Sequence, residues 1–244
     1  MARFYVDGLS DIEKSISIYG DDVNHIRNVL RLKEGDKIIV NNNNGIDYTC
    51  VISSTDSSKV IADVVDVNKN SSELDTRIVL FQGMPKSDKM EFIIQKAVEL
   101  GVAEIVPVMT RRTVVKIDAK KETKKIDRYN AISESAAKQS GRGVIPVVKN
   151  FMSYSEAIEY AKTLSMNIIP YEEASGIEES RQIVSRIKGK DSLGIFIGPE
   201  GGFAKEEVEK ARGIGAHVVT LGNRILRTET AGLATLAIIM FEIQ

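Results

Sequence analysis

Cysteine is nearly absent from this sequence. The single residue, Cys50, lies in a strand-like stretch, so the chain can build neither a disulfide framework nor a cysteine-based metal site. We predict no metal, and a reducing cytoplasm fits this composition. Long apolar runs are absent too: residues 231–241 form the longest and are too short to span a bilayer, and the start MARFYVDGLSD lacks the apolar core of a leader. We therefore expect no membrane association.

The chain also lacks an excess of charge of either sign, since 33 basic residues balance 34 acidic ones. The basic residues are nevertheless unevenly placed: between positions 110 and 149 there are eleven basic residues and four acidic ones, a local excess that could meet nucleic-acid phosphates. Four of them follow the spacing of one helix face, namely Lys121, Lys124, Lys125 and Arg128. Solvated lysine faces are common, so the spacing alone leaves both readings open.

The first 70 residues form a β-rich region. Strand-like runs surround the turn-forming stretch NNNNG at 41–45, a pattern typical of a hairpin in a small barrel. One helix is expected from the stretch DDVNHIRNVLRLKEGD, with Asp21 or Asp22 as its cap. Its apolar residues fall on one face at helical spacing: Val23, Ile26, Val29 and Leu30.

The region after the polar linker at 68–76 has a different pattern. Strand-like runs alternate with helical segments near 87–100, 121–140, 155–164, 177–187 and 204–212. This β-α order implies a mainly parallel sheet covered on both faces. We therefore predict an α/β protein with two domains, residues 1–70 and 71–244.

The first chemical motif is IGPEGGF at 197–203, directly after an apolar strand and before a helix. In open α/β sheets, ligands collect at this end of the strands, and glycines let main-chain groups approach them. The spacing fits neither the dinucleotide motif G-x-G-x-x-G nor the P-loop, which argues against phosphate binding and against a nucleotide-dependent oxidoreductase. A plain Gly-Gly turn between strand and helix explains the residues equally well.

The second motif is LGNRILRTETAGLATLAII at 221–239, where a glycine-containing turn leads into an apolar helix that Thr228 can cap. It sets Arg227, Thr228 and Glu229 at the mouth of an otherwise apolar segment. The simpler alternative is a buried helix with Arg227 on the surface, which is a reasonable account of one arginine but a weaker account of the whole string.

The strings GPEGG and LGNRILRTETA together resemble the RsmE family of SPOUT methyltransferases. Further stretches agree: RFYV at 3–6, HIRNVLRLKEGD at 25–36, KSDKMEFIIQKAVELGVAEIVPV at 86–108 and SAAKQSGRGVIP at 135–146. The resemblance implies an N-terminal PUA-like β-barrel, a C-terminal parallel sheet of SPOUT type with a trefoil knot, and a homodimer. It also implies methylation of uridine N3 in 16S ribosomal RNA of the small subunit.

The resemblance further implies that S-adenosylmethionine (AdoMet) binds among three loops that follow successive strands. The cofactor residues would be Pro170, Tyr171, Glu172, Ile197, Gly198, Pro199, Glu200, Gly201, Gly202, Leu221, Gly222, Ile225, Leu226, Arg227 and Thr228. Among these, main-chain groups of the last loop would read the adenine edge and the glycines of the second loop would pass close to the ribose.

Methylation of uridine N3 requires help with one proton, because N3 is a weak acid and its anion is the better nucleophile. A cation beside O2 or O4, or a base near N3, lowers that cost. Arg227 and Arg142 are the candidate cations, and Glu200 or Glu229 could accept the proton. The interpretation that we prefer is a structural one, in which either carboxylate holds an arginine or the cofactor ribose.

Eight basic residues are candidates for RNA contact: Arg3, His25, Arg27, Arg31, Lys86, Arg111, Arg112 and Arg142. A lone histidine on a polar helix face is usually just solvated, so His25 is given no catalytic role. Two other functions stay open on the residues alone. One is methylation of ribose 2′-O, and the other is an RNA-binding ribosome assembly factor without transfer activity.

Overall fold

The chain divides into two units, each with its own hydrophobic core. The computed structural model describes residues 1–10, 12–114, 119–174 and 176–244, apart from the side chains of 119–121. The first unit comprises Met1–Glu73 together with Ala137–Ile145, and the second comprises Leu74–Ala136 and Pro146–Gln244. The division after Glu73 lies near the predicted boundary at residue 70. No sequence signal indicated that Ala137–Ile145 belongs to the first unit.

A curled sheet makes up most of the first unit. Its elements are β1 (Arg3–Tyr5), β2 (Ser15–Tyr19), α1 (Asp21–Asn24), β3 (Lys37–Asn41), β4 (Ile46–Thr55) and β5 (Lys59–Lys69). The described strands run in the order β1-β3-β4-β5-β2, with β1 parallel to β3 and the other pairs antiparallel. Alternate residues such as Ile16, Ile18, Ile38 and Val40 point into one core, as expected for a sheet with one buried face.

The turn between β3 and β4 depends on the asparagine-rich stretch. Asn43 and Gly45 have positive φ angles of 55° and 81°, and asparagine and glycine adopt this left-handed conformation at low cost. The side chain of Asn41 accepts a hydrogen bond from the amide of Asn43 at 2.7 Å. The hairpin predicted from NNNNG is confirmed.

The predicted helix at 21–36 is wrong in its second half. Regular α-helix ends at Asn24, and His25–Val29 forms one wider π-helical turn in which the amide of Leu30 donates to the carbonyl of His25. The extra residue in that turn breaks the 3.6-residue period, so Val29 and Leu30 are 64% and 40% exposed instead of buried. The cap position is held by Gly20, without a side-chain hydrogen bond from either aspartate.

The second unit alternates strands and helices. Its strands are β6 (Arg77–Gly83), β7 (Glu104–Met109), β8 (Val147–Val148), β9 (Met152–Ser153), β10 (Met166–Pro170), β11 (Ser192–Ile197) and β12 (His217–Val219). Its helices are α2 (Lys89–Glu99), α3 (Ala119–Ser140, of which the last residues belong to the first unit), α4 (Tyr154–Ala161), α5 (Ile177–Ser185), α6 (Lys205–Gly213) and α7 (Thr228–Ile243). Each helix predicted for this region is present, with ends that differ by a few residues.

All described strands of this sheet are parallel, in the order β12-β10-β11-β6-β7-β8, with β9 also beside β7. Buried aromatic residues fill one side of the sheet, where the rings of Phe81 and Phe196 stack with centroids 4.5 Å apart. The predicted α/β class is confirmed, whereas the trefoil knot stays a prediction. In the described part of the chain, we find no helix with the length and apolar character needed to cross a membrane.

Gly194, in β11, has no room for a side chain, since a Cβ there would lie 2.1 Å from Oδ1 of Asn167 and 3.1 Å from Cε2 of Phe81. We expect Gly194→Ala to lower the free energy of unfolding by about 1–3 kcal/mol through overpacking, as measured by urea denaturation. The matched control is Gly213→Ala, because a Cβ at the end of α6 meets nothing within 4 Å. It should leave stability unchanged or raise it by up to about 1 kcal/mol. Equal effects of the two changes would contradict this packing.

Candidate functional site

A cleft of about 370 Å³ opens at the carboxyl edge of the second unit's sheet. The loops that follow β10, β11 and β12 form its walls, together with the starts of α2 and α7. The lining residues are Lys89, Pro170, Tyr171, Glu172, Ile197, Gly198, Pro199, Glu200, Gly202, Phe203, Thr220, Leu221, Gly222, Arg224, Ile225, Leu226, Arg227, Thr228 and Ala231. Such an edge is where open α/β sheets bind ligands.

Fourteen of the fifteen predicted cofactor residues line this cleft. The exception is Gly201, whose carbonyl accepts a hydrogen bond from the guanidinium of Arg112 at 2.7 Å. Sequence reasoning missed five lining residues: Lys89, Phe203, Thr220, Arg224 and Ala231. Lys89 does carry a signal in the sequence, since it belongs to the stretch KSDKMEF that resembles the RsmE family.

The glycines of the loop after β11 are required by its tight fold. A Cβ on Gly198 would lie 2.9 Å from the carbonyl carbon of Gly202, and the Gly202 amide donates to the Pro199 carbonyl at 2.8 Å. Gly83, the last residue of β6, is equally crowded, because a Cβ there would lie 2.6 Å from Cδ of Pro199. The loop is thus a compact turn seated on the end of β6, and it also borders the cleft.

Gly222 serves a different purpose in the loop after β12. Its φ angle is 104°, and a Cβ there would meet no atom within 4 Å. The hydroxyl of Thr220 accepts a hydrogen bond from the Gly222 amide at 3.2 Å, which supports the turn. This glycine therefore leaves its backbone open to close approach by a ligand.

Thr228 does not cap α7, contrary to the prediction. The cap position is Arg227, and Thr228 is the first residue of the helix. The buried Thr228 hydroxyl donates to the Gly198 carbonyl at 2.6 Å and accepts from Nε2 of Gln82 at 2.9 Å. It thereby joins the end of β6, the loop after β11 and the start of α7.

Lys89 lies between two carboxylates at one side of the cleft. Its Nζ is 3.2 Å from Glu200 Oε1 and 3.2 Å from Glu229 Oε2. Partial burial raises the pKa of Glu200, but hydrogen bonds from its own amide, the Lys86 amide and Lys89 outweigh that effect, so the pKa lies below its ordinary value. The neighbouring carboxylates of Glu229 and Glu200 raise the pKa of Lys89. Near neutral pH, Glu200 is therefore a carboxylate and Lys89 an ammonium.

Arg227 is exposed at the mouth of the cleft, directly before α7. Arg224, on the same loop, is also exposed and lines the cleft. The structure therefore places two exposed guanidinium groups along the cleft.

Arg142, by contrast, is a structural residue of the first unit. It is 3% exposed, and its Nε and Nη2 donate to the Glu73 carboxylate at 2.8 Å and 2.7 Å. The amides of Gly143 and Val144 donate to Oε1 of the same carboxylate. Burial raises the pKa of Glu73, but these contacts reverse the shift and lower it. A buried, paired guanidinium has a structural role, and this burial argues against both roles predicted for Arg142.

The other RNA candidates of the first unit differ in accessibility. Arg3 is mostly buried, and its two terminal nitrogens, Nη1 and Nη2, donate to the Asp47 carboxylate, the second of them at 3.0 Å, which gives it a structural role. His25 and Arg31 are exposed and Arg27 is partly exposed, although the His25 ring also packs edge-on against Phe4. Three of these four residues can therefore meet a partner.

The candidates of the second unit are all exposed. Lys86 follows β6, while Arg111 and Arg112 follow β7, where Arg111 pairs with Glu206 at 3.0 Å. On α3, Lys124 is exposed, Lys125 is partly exposed and Arg128 pairs with Glu91 at 2.8 Å. The side chain of Lys121, the first residue of the predicted basic face, lies outside the described residues. Across the described ranges, no group of three or more histidine, cysteine, aspartate or glutamate side chains is placed to hold a metal ion.

Comparisons with known proteins agree with this architecture. A family model described as an RNA methyltransferase domain matches residues 72–240, and one described as an RNA methyltransferase PUA domain matches residues 18–65. The ribosomal RNA small subunit methyltransferase E of Bacillus subtilis (strain 168) is 37% identical over 248 residues, which covers 99% of this chain and 97% of that protein.

Two solved structures have nearly the same fold. The ribosomal RNA small subunit methyltransferase E of Neisseria gonorrhoeae, bound to S-adenosyl methionine, matches with a TM-score of 0.86 and 31% identity over 100% of this chain and 98% of that one. A Legionella pneumophila protein in complex with the bound cofactor SAM has a TM-score of 0.86 and 29% identity, with 98% and 97% of the two chains covered.

The parallel sheet with its cleft, the β-rich first unit and these matches define an RNA methyltransferase with a PUA domain. Within that class, the chain belongs to the ribosomal RNA small subunit methyltransferase E, or RsmE, family. The resemblance seen in the sequence motifs is confirmed.

Replacement of Thr228 by valine keeps its shape and removes the hydroxyl that joins Gly198 and Gln82. We expect Thr228→Val to lower the free energy of unfolding by about 1–3 kcal/mol, because the Gly198 carbonyl loses its partner, and to weaken AdoMet binding in calorimetry. Thr235→Val is the matched control, since that hydroxyl donates to the Ala231 carbonyl of its own helix, a bond that adds little stability. If both variants bound AdoMet like the wild type, the hydroxyl would not organise the cleft.

Proposed function

We propose that this protein transfers a methyl group from AdoMet to N3 of a uridine in 16S ribosomal RNA of the small subunit. The observation that carries the proposal is the single cleft that gathers nearly all predicted cofactor residues. The similarity to an RsmE protein solved with S-adenosyl methionine supports the choice of cofactor, and the names of the relatives support the small-subunit substrate. A ribosomal substrate would place the protein in the cytoplasm.

The residues of the cleft fit this cofactor. The cleft volume of about 370 Å³ lies within the range of roughly 300–1,000 Å³ that is typical of small-molecule sites. Main-chain groups of Leu221, Gly222 and Ile225 are available to an adenine edge, and the open space beside Gly222 admits a flat ring. Leu226 offers apolar contact, and loop 198–202 lies where it can pass close to a ribose.

AdoMet, when bound, supplies an electrophilic methyl group on a cationic sulfonium. The protein must then hold the uracil in line and ease the loss of the N3 proton. Of the two candidate cations, Arg227 lines the cleft and is exposed, whereas Arg142 is buried and paired, so we assign Arg227 to the uracil oxygens that carry the charge of the N3 anion.

Glu200 is a poor candidate for the base. Its lowered pKa and its contacts with Lys89 and the Lys86 amide favour a carboxylate that stays ionised and stationary. Glu229 is held by the same lysine. The structural use of both carboxylates, left open by the sequence, is therefore the one we propose.

RNA contact is proposed for the accessible basic residues. In the second unit these are Lys86, Arg111, Arg112, Lys124, Lys125 and Arg128, and in the first unit they are His25, Arg27 and Arg31. Arg112 is of particular interest because its side chain lies over Gly201 and Gly202, where a Cβ on Gly201 would be 3.3 Å from Cβ of Arg112. RNA bound by Arg112 would thus lie beside the loop that borders the cofactor cleft.

A homodimer is proposed on the evidence of α7. This helix has apolar residues on all sides, although only one side faces the core, and Ile238 and Phe241 are 49% and 86% exposed. The neighbouring helix α2 exposes Phe92 at 47%. Exposed apolar side chains on two adjacent helices are typical of a subunit interface, and a second copy of the chain is the occupant that we propose.

The decisive experiment is methyl transfer from labelled AdoMet to small ribosomal subunits that lack native methylation, followed by mass spectrometry of the digested nucleosides. We expect label in 3-methyluridine with the wild type. Arg227→Ala should lower the transfer rate by about 100-fold or more, the usual effect of removing a group that stabilises developing charge, while its thermal unfolding stays unchanged. Arg212→Ala, which removes an exposed arginine paired with Glu209 within α6, is the control and should react like the wild type.

Three other results would change this proposal in different ways. Label in a 2′-O-methyl nucleoside would keep the cofactor and replace the acceptor. AdoMet binding without any label would favour the assembly factor. Full turnover by folded Arg227→Ala would remove Arg227 from the mechanism.

The interface is tested by Phe241→Glu, which should convert a dimer into a monomer in light scattering at micromolar concentration, because a charge in an apolar contact carries a large desolvation cost. Ile177→Glu is the control, as it changes an exposed apolar residue on α5. A wild-type monomer, or a dimer that survives Phe241→Glu, would contradict this interface.

A further inference from the structure

We propose that Lys89 is a positioning residue: its ammonium holds the Glu200 and Glu229 carboxylates in place and offsets one of their two negative charges, and thereby sets how strongly the cleft prefers the cationic cofactor over its neutral product. The inference rests on the proposed function, because it takes AdoMet as the ligand of the cleft. It gives a role to Lys89, which lies at the start of α2 and contacts two other segments that line the cleft.

Lys89 connects segments that are remote in sequence. It is the first residue of α2, Glu200 belongs to the loop after β11, and Glu229 is the second residue of α7. Both carboxylates lie 3.2 Å from the same nitrogen. The Lys86 amide also donates to Glu200, at 3.1 Å, so the start of α2 holds this loop by its backbone as well as by its side chain.

The position of this lysine is unfavourable for the helix itself. The amino end of a helix carries partial positive charge, so acidic residues are preferred there and a cation is disfavoured. A residue that breaks a local rule of this kind commonly serves a site. The two carboxylates explain why a cation is kept at this position.

Glu229 depends on Lys89 for charge compensation. Its Oε2 atom is buried and, among the described residues, has no well-aligned hydrogen bond, so the ammonium at 3.2 Å is the group that balances it. Without Lys89, the carboxylates of Glu200 and Glu229 would lie close together with no cation between them. Such neighbouring like charges raise each other's pKa values.

The other charged groups around the cleft are few. Asp88 precedes Lys89 on the chain, and Glu172, Arg224 and Arg227 line the cleft on its other loops. The three groups of the cluster carry one net negative charge when all are ionised. That charge favours a sulfonium over the uncharged thioether of S-adenosylhomocysteine, which is the product of methyl transfer.

The test is calorimetric binding of AdoMet and of S-adenosylhomocysteine to the purified protein, with the ratio of the two dissociation constants as the readout. Lys89→Met adds one net negative charge to the cluster and should raise the preference for AdoMet on the order of fivefold near neutral pH. Lys89→Arg keeps the charge and should keep the wild-type ratio. As pH falls through the raised carboxylate pKa values, the gain of Lys89→Met should disappear, because the added charge is then neutralised by a proton.

A double variant separates charge from structure. Lys89→Met with Glu229→Gln has the same net charge as the wild type, so its ratio should return to the wild-type value even though two native side chains are missing. A purely structural role predicts weaker binding of both ligands and an unchanged ratio in every variant. The double variant also lacks the buried unpaired carboxylate, so it keeps the proposal testable if Lys89→Met alone fails to fold.

Lys96→Met is the control for loss of a lysine from α2, because Lys96 pairs within the helix with Glu99 at 2.7 Å. It should bind both ligands like the wild type. An unchanged ratio in folded Lys89→Met, or a double variant that departs from the wild-type ratio, would overturn the inference while leaving the methyltransferase proposal intact. Absence of AdoMet binding by the wild type would instead refute the proposed cofactor and this inference together.

Discussion

The cleft depends on one constraint: parallel strands bring all of their carboxyl ends to the same edge, where several loops must be held against one another. The Thr228 hydroxyl meets this need with two hydrogen bonds, one to Gly198 and one from Gln82, which lies 146 residues earlier in the chain. Because the group is buried, water cannot replace either partner, and a lost bond leaves a polar atom unsatisfied. The lysine between Glu200 and Glu229 joins nearly the same segments through charge. The site is therefore held both by a neutral hydrogen-bond chain and by an ionic cluster.

The fold class was predictable because its signals are local. Alternation of strands and helices, the turn chemistry of NNNNG and the glycines after β11 each depend on a few neighbouring residues. The same holds for the cleft, whose predicted residues directly follow strands in sequence. To predict that these residues form one site, only the rule that ligands bind at this edge of the sheet was needed in addition. The choice of cofactor came from the family resemblance.

The places where the structure differs from the sequence predictions share another cause. Each depends on a contact that is remote in sequence or on an irregularity of the backbone. Arg142 has the features of an RNA-binding arginine until Glu73 is seen beside it. Thr228 stands where a helix cap is expected, yet its hydroxyl serves Gly198. The π-helical turn at His25–Val29 shifts Val29 and Leu30 out of the core, and the amino-acid pattern gives no sign of that extra residue. Single-sequence periodicity is insensitive to such events.

The first unit consists of two separate chain segments, and this affects how it can form during synthesis. Its last segment, Ala137–Ile145, is separated from Glu73 by more than sixty residues of the second unit. During synthesis the curled sheet leaves the ribosome first, but the guanidinium and the two amides that hold Glu73 follow only after β7 and most of α3 have been added. The first unit is consequently not a module that ends at the linker. A fragment that ends at the linker would keep the partly buried Glu73 carboxylate without the guanidinium and the two amides that hold it, at a cost in stability.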